Sequence, residues 1–204
     1  MKKKITIPTS WNDVSVREYQ YYSASIEKAT TTRQKAIVAI TAFCGLTEDE
    51  MPYLTQDSYE DIVSRLAWVQ QPPEGDVDLV QTFEYEGIEY GFIPNWNNLT
   101  FGEFVDLEHY ATEGRFVENL DRAMALMYRP ITEKVHGHYQ IEDYAVDEPR
   151  IEVMRSMPMT IAVGAMVFFW NIAETFARDL RSSLPPSNNR KGNGSFGING
   201  VGTE

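Results

Sequence analysis

A helix-start phrase, written twice at nearly full length, constrains this chain more than any other feature. Trp11-Asn12, Val14-Ser15 and Glu18-Tyr19 return 85 residues later as Trp96-Asn97, Leu99-Thr100 and Glu103-Phe104. The pair Ile7-Pro8 returns as Ile93-Pro94 with one residue of slip. Ser15 and Glu18 have the spacing of a capping box, in which the hydroxyl accepts from the N3 amide and the Glu carboxylate accepts from the N-cap amide. Thr100 and Glu103 repeat it, and Thr47 and Glu50 give a third copy. The flanking pairs Val14/Tyr19, Leu99/Phe104 and Leu46/Met51 have the spacing of a hydrophobic staple. Each copy therefore predicts an extended segment turning into a helix, with Trp11 and Trp96 as packing anchors over the start rather than ligand-stacking rings. At the same offset "FCGLTE" (43–48) falls on "YRPITE" (128–133), so the chain reads as a weak duplication.

Periodicity fills in the rest. Helices are expected over 16–29, 32–43 and 58–70, with a helical turn around 48–53. The stretch 3–7 reads as a short strand closed by Pro8, and "QQPPEGD" (70–76) as the break between halves. At 83–92 apolar residues alternate about Glu86-Gly87, which predicts a β-hairpin with Glu84 and Glu86 opposite Phe83 and Tyr85. Helices follow at 101–112, 115–128 and 148–156, with an irregular polar stretch over 131–149. A long helix runs from Met159 to Leu184. The expected fold is α+β and predominantly α-helical: two weakly related helical halves, a small β-hairpin between them, and a long apolar C-terminal helix as the core pillar. Its organisation is an N-terminal helical half (1–72), a hairpin plus C-terminal helical half (77–184) and a flexible tail (185–204). That tail is rich in Ser, Asn and Gly, too polar to order without a partner.

The function classes narrow by exclusion. A formal charge of −12 argues against nucleic acid as the main partner, because phosphate binding needs a basic face. The single cysteine, Cys44, permits no internal disulfide and points to a reducing compartment. The N-terminus lacks the apolar run of a signal peptide, which argues against export by that route. Residues 156–173 form the most apolar segment, with no charge between Arg155 and Glu174. It is at the lower edge of a membrane-crossing length and includes Pro158 and Gly164, so a buried helix or an interface helix is the better reading. Gly164 would permit a close helix crossing.

Candidate chemistry is sparse. His136-Gly137-His138 has the look of a metal pair but no further ligands at a recognised spacing, and reads as an exposed loop. Cys44 lies on an apolar helix stripe with no paired base, as an inert thiol. No phosphate loop, nucleophile elbow, HExxH or CxxC is present, and no cofactor is implied. The residues expected to meet a partner are aromatic: Trp96 and Phe101 at the second helix start, and Phe168, Phe169 and Trp170 in the apolar helix.

The starts "WNDVSVREY" and "AFCGLTEDE", with "FEYEGIEYGFIPN", "LTFGEFVDL" and "MPMTIAVGAMVFFWN", resemble proteins of tailed bacteriophages over about residues 5–180. The nearest group is the tail assembly chaperones. That resemblance implies a non-enzymatic protein that coats a tape-measure protein and recruits tail subunits, in the host cytoplasm during assembly. The rival it implies is a structural or packaged virion component near portal, tail or capsid interior. Both make phage structural proteins the partners, and both admit a homo-oligomer. The family has no catalytic residues to transfer. The hairpin departs from an all-helical chaperone.

Overall fold

The doubled phrase builds the same local structure at both of its sites. A 3-10 turn at Trp11–Asp13 is capped by the Ser10 side chain, which accepts from the Asn12 N–H, and one at Trp96–Asn98 by Asn95, which accepts from the Asn97 N–H. The chain is then extended at Val14 (φ −109°, ψ 128°) and turns through φ −56°, ψ 130° at Leu99 before entering α1 (Val16–Ile26) and α4 (Phe101–Tyr110). Both boxes close. Ser15 Oγ accepts from the Glu18 N–H at 3.3 Å while the Glu18 carboxylate accepts from the Ser15 N–H at 2.7 Å. The corresponding distances at Thr100 and Glu103 are 3.2 and 2.6 Å. At the third copy, the Thr47 N–H donates to Glu50 at 2.8 Å and opens a 3-10 turn, Glu48–Tyr53. A fourth box, Thr31 with Gln34, opens α2 (Thr32–Phe43). Here Gln takes the place of Glu, and the flanking residues Thr30 and Lys35 form no apolar staple.

This computed structural model describes residues 5–71, 78–110, 115–145 and 147–183, with side chains up to 171; the expected flexible tail, 185–204, lies outside the described residues. Contacts divide the chain into two compact units, 1–169 and 170–204. The N-terminal helical half (1–72) falls within the first, and the C-terminal half (77–184) runs across the boundary between the two. In the second, the helix continues to Ser183.

The 85-residue offset runs past the phrase and then stops. α2 overlaps α5 (Leu120–Met127) at that offset. Beyond it the copies part. Cys44 ends α2 and Gly45 turns the chain at φ +63°, a left-handed conformation that favours glycine. Tyr128 instead passes straight from α5 into a strand. The match of "FCGLTE" to "YRPITE" thus has no structural counterpart.

The remaining elements are α3 (Gln56–Arg65) with a 3-10 turn at Ala67–Gln70, β1 (Thr82–Tyr85), β2 (Ile88–Phe92), β3 (Tyr128–Val135), β4 (His138–Ile141), α6 (Glu148–Ser156) and α7 (Met159–Ser183). The expected hairpin is half of a four-stranded antiparallel sheet of order β1-β2-β3-β4. The stretch 131–149 is therefore not irregular. It holds most of β3 and all of β4, which pair from Ile131↔Ile141 to Val135↔His138 through a bulge between Ile131 and Glu133. Pro130 sits beside that bulge, where a strand tolerates its missing N–H. The expected helix over 115–128 begins only at Leu120, and Ile5–Ile7 belong to no strand.

α5 is central to the core, packed on α1, α4, α6 and β3, and a further buried set, Ile40, Phe43, Leu46, Ile62, Leu66 and Val69, lies in the N-terminal half. Leu120, Met124, Met127, Met154, Met157 and Met159 have no exposed surface. The segment before α7 pairs with the segment before α1: the Val16 N–H donates to the Met157 carbonyl at 2.9 Å, and the Met159 N–H to the Val14 carbonyl at 2.7 Å. Gly164 does mark a close approach, but to the backbone of Asp78–Leu79, outside any helix. A Cβ there would lie 2.7 Å from the Asp78 carbonyl oxygen. Among the described residues, no helix is long and apolar enough to cross a membrane.

Candidate protein-docking face

The buried side of α4 is held by an ion pair. Glu103 is 3% exposed and Arg129, near the start of β3, 6%; their side chains meet at 2.7 Å. The same Glu103 carboxylate group closes the capping box, so one side chain both starts the helix and pins it to the sheet. Leu107, one turn on, is also buried. Breaking a pair of this kind leaves an uncompensated buried charge, which fixes the helix rotation firmly.

That rotation turns an apolar stripe outward. Phe101 is 82% exposed, Phe104 52% and Val105 40%. At about 100° per residue, Phe101 and Val105 lie on the side of α4 away from Glu103 and Leu107, with Phe104 on the flank between the two sides. Scattered exposed apolar residues are ordinary, but two Phe and a Val adjacent on one helix are a contiguous patch of the kind that marks a protein contact.

The expected partner residues divide. Trp96 points inward, with ring centroids 5.8 Å from Phe92, 5.8 Å from Phe168 and 6.4 Å from Phe169. Phe169 is buried and stacks on Phe116 at 6.1 Å, while Phe168 is half-buried against Phe92. These three form one cluster under the second helix start. The counterpart under the first is Trp11 with Tyr19, Phe43 and Trp68. Both clusters hold a buried indole N–H with no hydrogen-bond partner among the described residues, at Trp96 and Trp68. Of the two partner candidates at the second start, Phe101 faces outward and Trp96 inward. Trp170, in the second unit, is exposed. Staple spacing alone gives no sign that Phe104 is exposed; buried Glu103 fixes the inner side of α4 and thereby the outer one.

A second apolar surface lies on the N-terminal half. Ala36, Ile37, Val38 and Ala39 of α2 are only half-covered. Ala36, Ile37 and Val38 border an open groove of about 1110 Å³, shared with Tyr21, Met51, Leu54 and Tyr59.

The titratable candidates have structural explanations. His136 (φ +50°) and Gly137 (φ +82°) are the two central residues of the β3–β4 turn, and Glu86 and Gly87 play the same part between β1 and β2. Paired positive φ values are the type I′ geometry that matches strand twist. Among the described residues, no group of three or more His, Cys, Asp or Glu is placed to hold a metal. Cys44 is buried, and burial pushes its thiol up to about 11. Tyr128 is fully buried, donates to the Val80 carbonyl at 2.7 Å, and is held far above the usual phenol range by burial. Tyr139 crosses Gly91 to donate to the Phe92 carbonyl at 2.7 Å; a Cβ at Gly91 would meet its ring at 2.5 Å. Compared with known proteins, the chain matches no family model, no curated protein and no solved structure.

Proposed function

We propose that this chain is a non-enzymatic assembly protein of a tailed bacteriophage, acting as a tail assembly chaperone in the host cytoplasm. The observation that carries protein binding is the outward apolar face of α4, Phe101, Phe104 and Val105. An exposed apolar stripe on a helix clamped by a buried ion pair suits a client held through hydrophobic contact. The half-covered side of α2 adds a second such surface. The link to phage assembly, and to tape-measure, tail or portal proteins as partners, rests on the resemblance of the helix-start and apolar segments.

The test is recovery of the tagged chain from its native producing cells late in particle assembly, with mass spectrometry of the lysate complex and of purified particles. A long helical tape-measure partner in the lysate, with no copy in particles, is the expected result. A defined copy number in particles would make the chain a virion component instead. The variant Phe101→Ser/Phe104→Ser should lose the partner while melting within about 0.5 kcal/mol of wild type, as surface changes do. Undiminished recovery by this variant would remove the α4 face from the reading.

A further inference from the structure

Two helices of this chain carry a run of apolar residues with no polar side, and their surroundings differ. In α2 the run is 36–40, Ala-Ile-Val-Ala-Ile, and in α5 it is 123–127, Ala-Met-Ala-Leu-Met; the two overlap at the 85-residue offset. At about 100° per residue such a run goes all the way round the helix, a pattern that belongs inside a protein. The α5 run meets that expectation: every residue of it is 0% exposed, with α1, α4, α6 and β3 packed around the helix. In the α2 run only Ile40 is buried. α2 packs closely on α1, and only loosely on α3 and the 3-10 turn Glu48–Tyr53. Its uncovered sides open on the groove of about 1110 Å³ and on a smaller one of about 480 Å³, which meet at Thr32, Ala36 and Val63.

We propose that the larger groove beside α2 receives an acidic amphipathic helix of a different protein. A helix is the occupant because a helix covers the matching run: α6 packs on α5 with Ile151 and Met154, three residues apart, buried. Charge selects which helix. The charged residues bordering the two grooves are Lys28, Arg33, Lys35 and Glu48, three cations to one carboxylate, on a chain with 18 basic and 30 acidic residues. All four are exposed, and among the described residues the three cations make no ion pair. An apolar stripe laid over Ile37 and Val38 completes the burial that the run calls for, and carboxylates flanking the stripe meet Lys28 and Arg33. Tyr21, 51% exposed at the groove, supplies an aromatic contact. Two other occupants match less well. Residues 184–204 of this chain carry Arg190 and Lys191 against Glu204 alone, the wrong sign. The same groove of a second copy would set these cations against their own counterparts across a two-fold axis.

The inference rests on the reading of this chain as a protein-binding one, and not on its role in a phage. The probes are two end-capped helical peptides about four turns long, each with a stripe of leucine on one side. The other side is glutamate in one and lysine in its counterpart. Each is titrated into the isotope-labelled full chain at physiological salt and followed by amide NMR. The net charge of −12 favours the lysine peptide over the surface at large, so a preference for glutamate at the groove opposes that background. The glutamate peptide is expected to shift amides of α1, α2 and Glu48–Tyr53, and to bind there about tenfold more tightly than the lysine peptide. Lys28→Glu/Arg33→Glu alters two exposed side chains and should reverse the preference while the spectrum is otherwise preserved. Absence of groove shifts with the glutamate peptide, shifts centred on α4 instead, or a preference unchanged in the double variant would each overturn the proposal. Concentration-dependent self-association of the chain, abolished by the double variant, would assign the groove to a second copy and overturn it likewise. Binding of the glutamate peptide at the groove with no partner recovered from producing cells would leave the groove standing and remove the assembly role; a recovered partner with no peptide bound at the groove would do the opposite.

Discussion

Two residues show how a single side chain, or the lack of one, sets the position of an element. Alanine is the better helix former than glycine by about 1 kcal/mol, so Gly164→Ala in α7 should stabilise on propensity alone. The Cβ would lie 2.7 Å from the Asp78 carbonyl oxygen, which belongs to backbone and has no rotamer to escape through. Sterics should win, with a net loss of about 1–3 kcal/mol in urea unfolding. A gain in stability would mean that the segment at Asp78–Leu79 yields freely. Glu103 makes the opposite kind of contribution. Glu103→Gln keeps the shape but leaves the Arg129 guanidinium buried without its counter-ion, for an expected loss of about 3–5 kcal/mol. Thr100→Ala, which removes only the hydroxyl half of the box, should cost about 1 kcal/mol. Equal losses in the two variants would show that the box, not the ion pair, anchors α4.

Turns and starts, more than helix interiors, decided which elements could be read from the sequence. The second central residue of each hairpin turn is Gly, but the first is Glu86 or His136, each held at φ +50°. Asn tolerates that region at lower cost because its short side chain bonds locally. Glu86→Asn and His136→Asn should each raise stability by about 0.5 kcal/mol, seen as a higher urea midpoint. A fall would mean that the native side chain makes a compensating contact. The same turns explain what was missed. Glu86-Gly87 lies between strongly alternating aromatics, and its hairpin was plain. His136-Gly137 is the same device, but Pro130 read as a helix stop and the histidines as a metal question, so β3 and β4 passed for loop. The helix starts were legible because capping is local chemistry: α1, α2, α4 and α6 begin at the expected residues. The candidate site was only partly legible. Aromatic composition points to Trp96, Phe101 and Phe168–Trp170, but the outward side of Phe101 follows from Glu103–Arg129, a contact between residues 26 apart in sequence, and the inward side of Trp96, Phe168 and Phe169 from rings brought together by α7 and the sheet.

For the whole molecule, the strongest pH dependence should appear on the alkaline side. Burial raises the acid groups of Cys44, Tyr19, Tyr22, Tyr90, Tyr128, Tyr139 and Tyr144 above their ordinary values. Each is neutral when protonated, so the folded chain holds these protons more tightly than the unfolded one. The stabilisation is complete below the unfolded values, 9.0 for the thiol and 10.0 for the phenols, and is lost as pH rises through the folded values, about 11 for Cys44. The acidic surface adds self-repulsion in the same direction. The groups are spread over both helical halves, and all of them lie in the unit 1–169, with α1 packed on α5 and α6. Their ionisation should therefore report one cooperative event. The urea midpoint is expected to hold steady from about pH 7 to 9 and then fall, with tyrosinate absorbance and helical circular dichroism changing together. Tyrosinate appearing while helicity persists would show that the N-terminal and C-terminal halves open separately, and that the covering of Val14–Val16 by Met157–Met159 does not bind them into one unfolding unit.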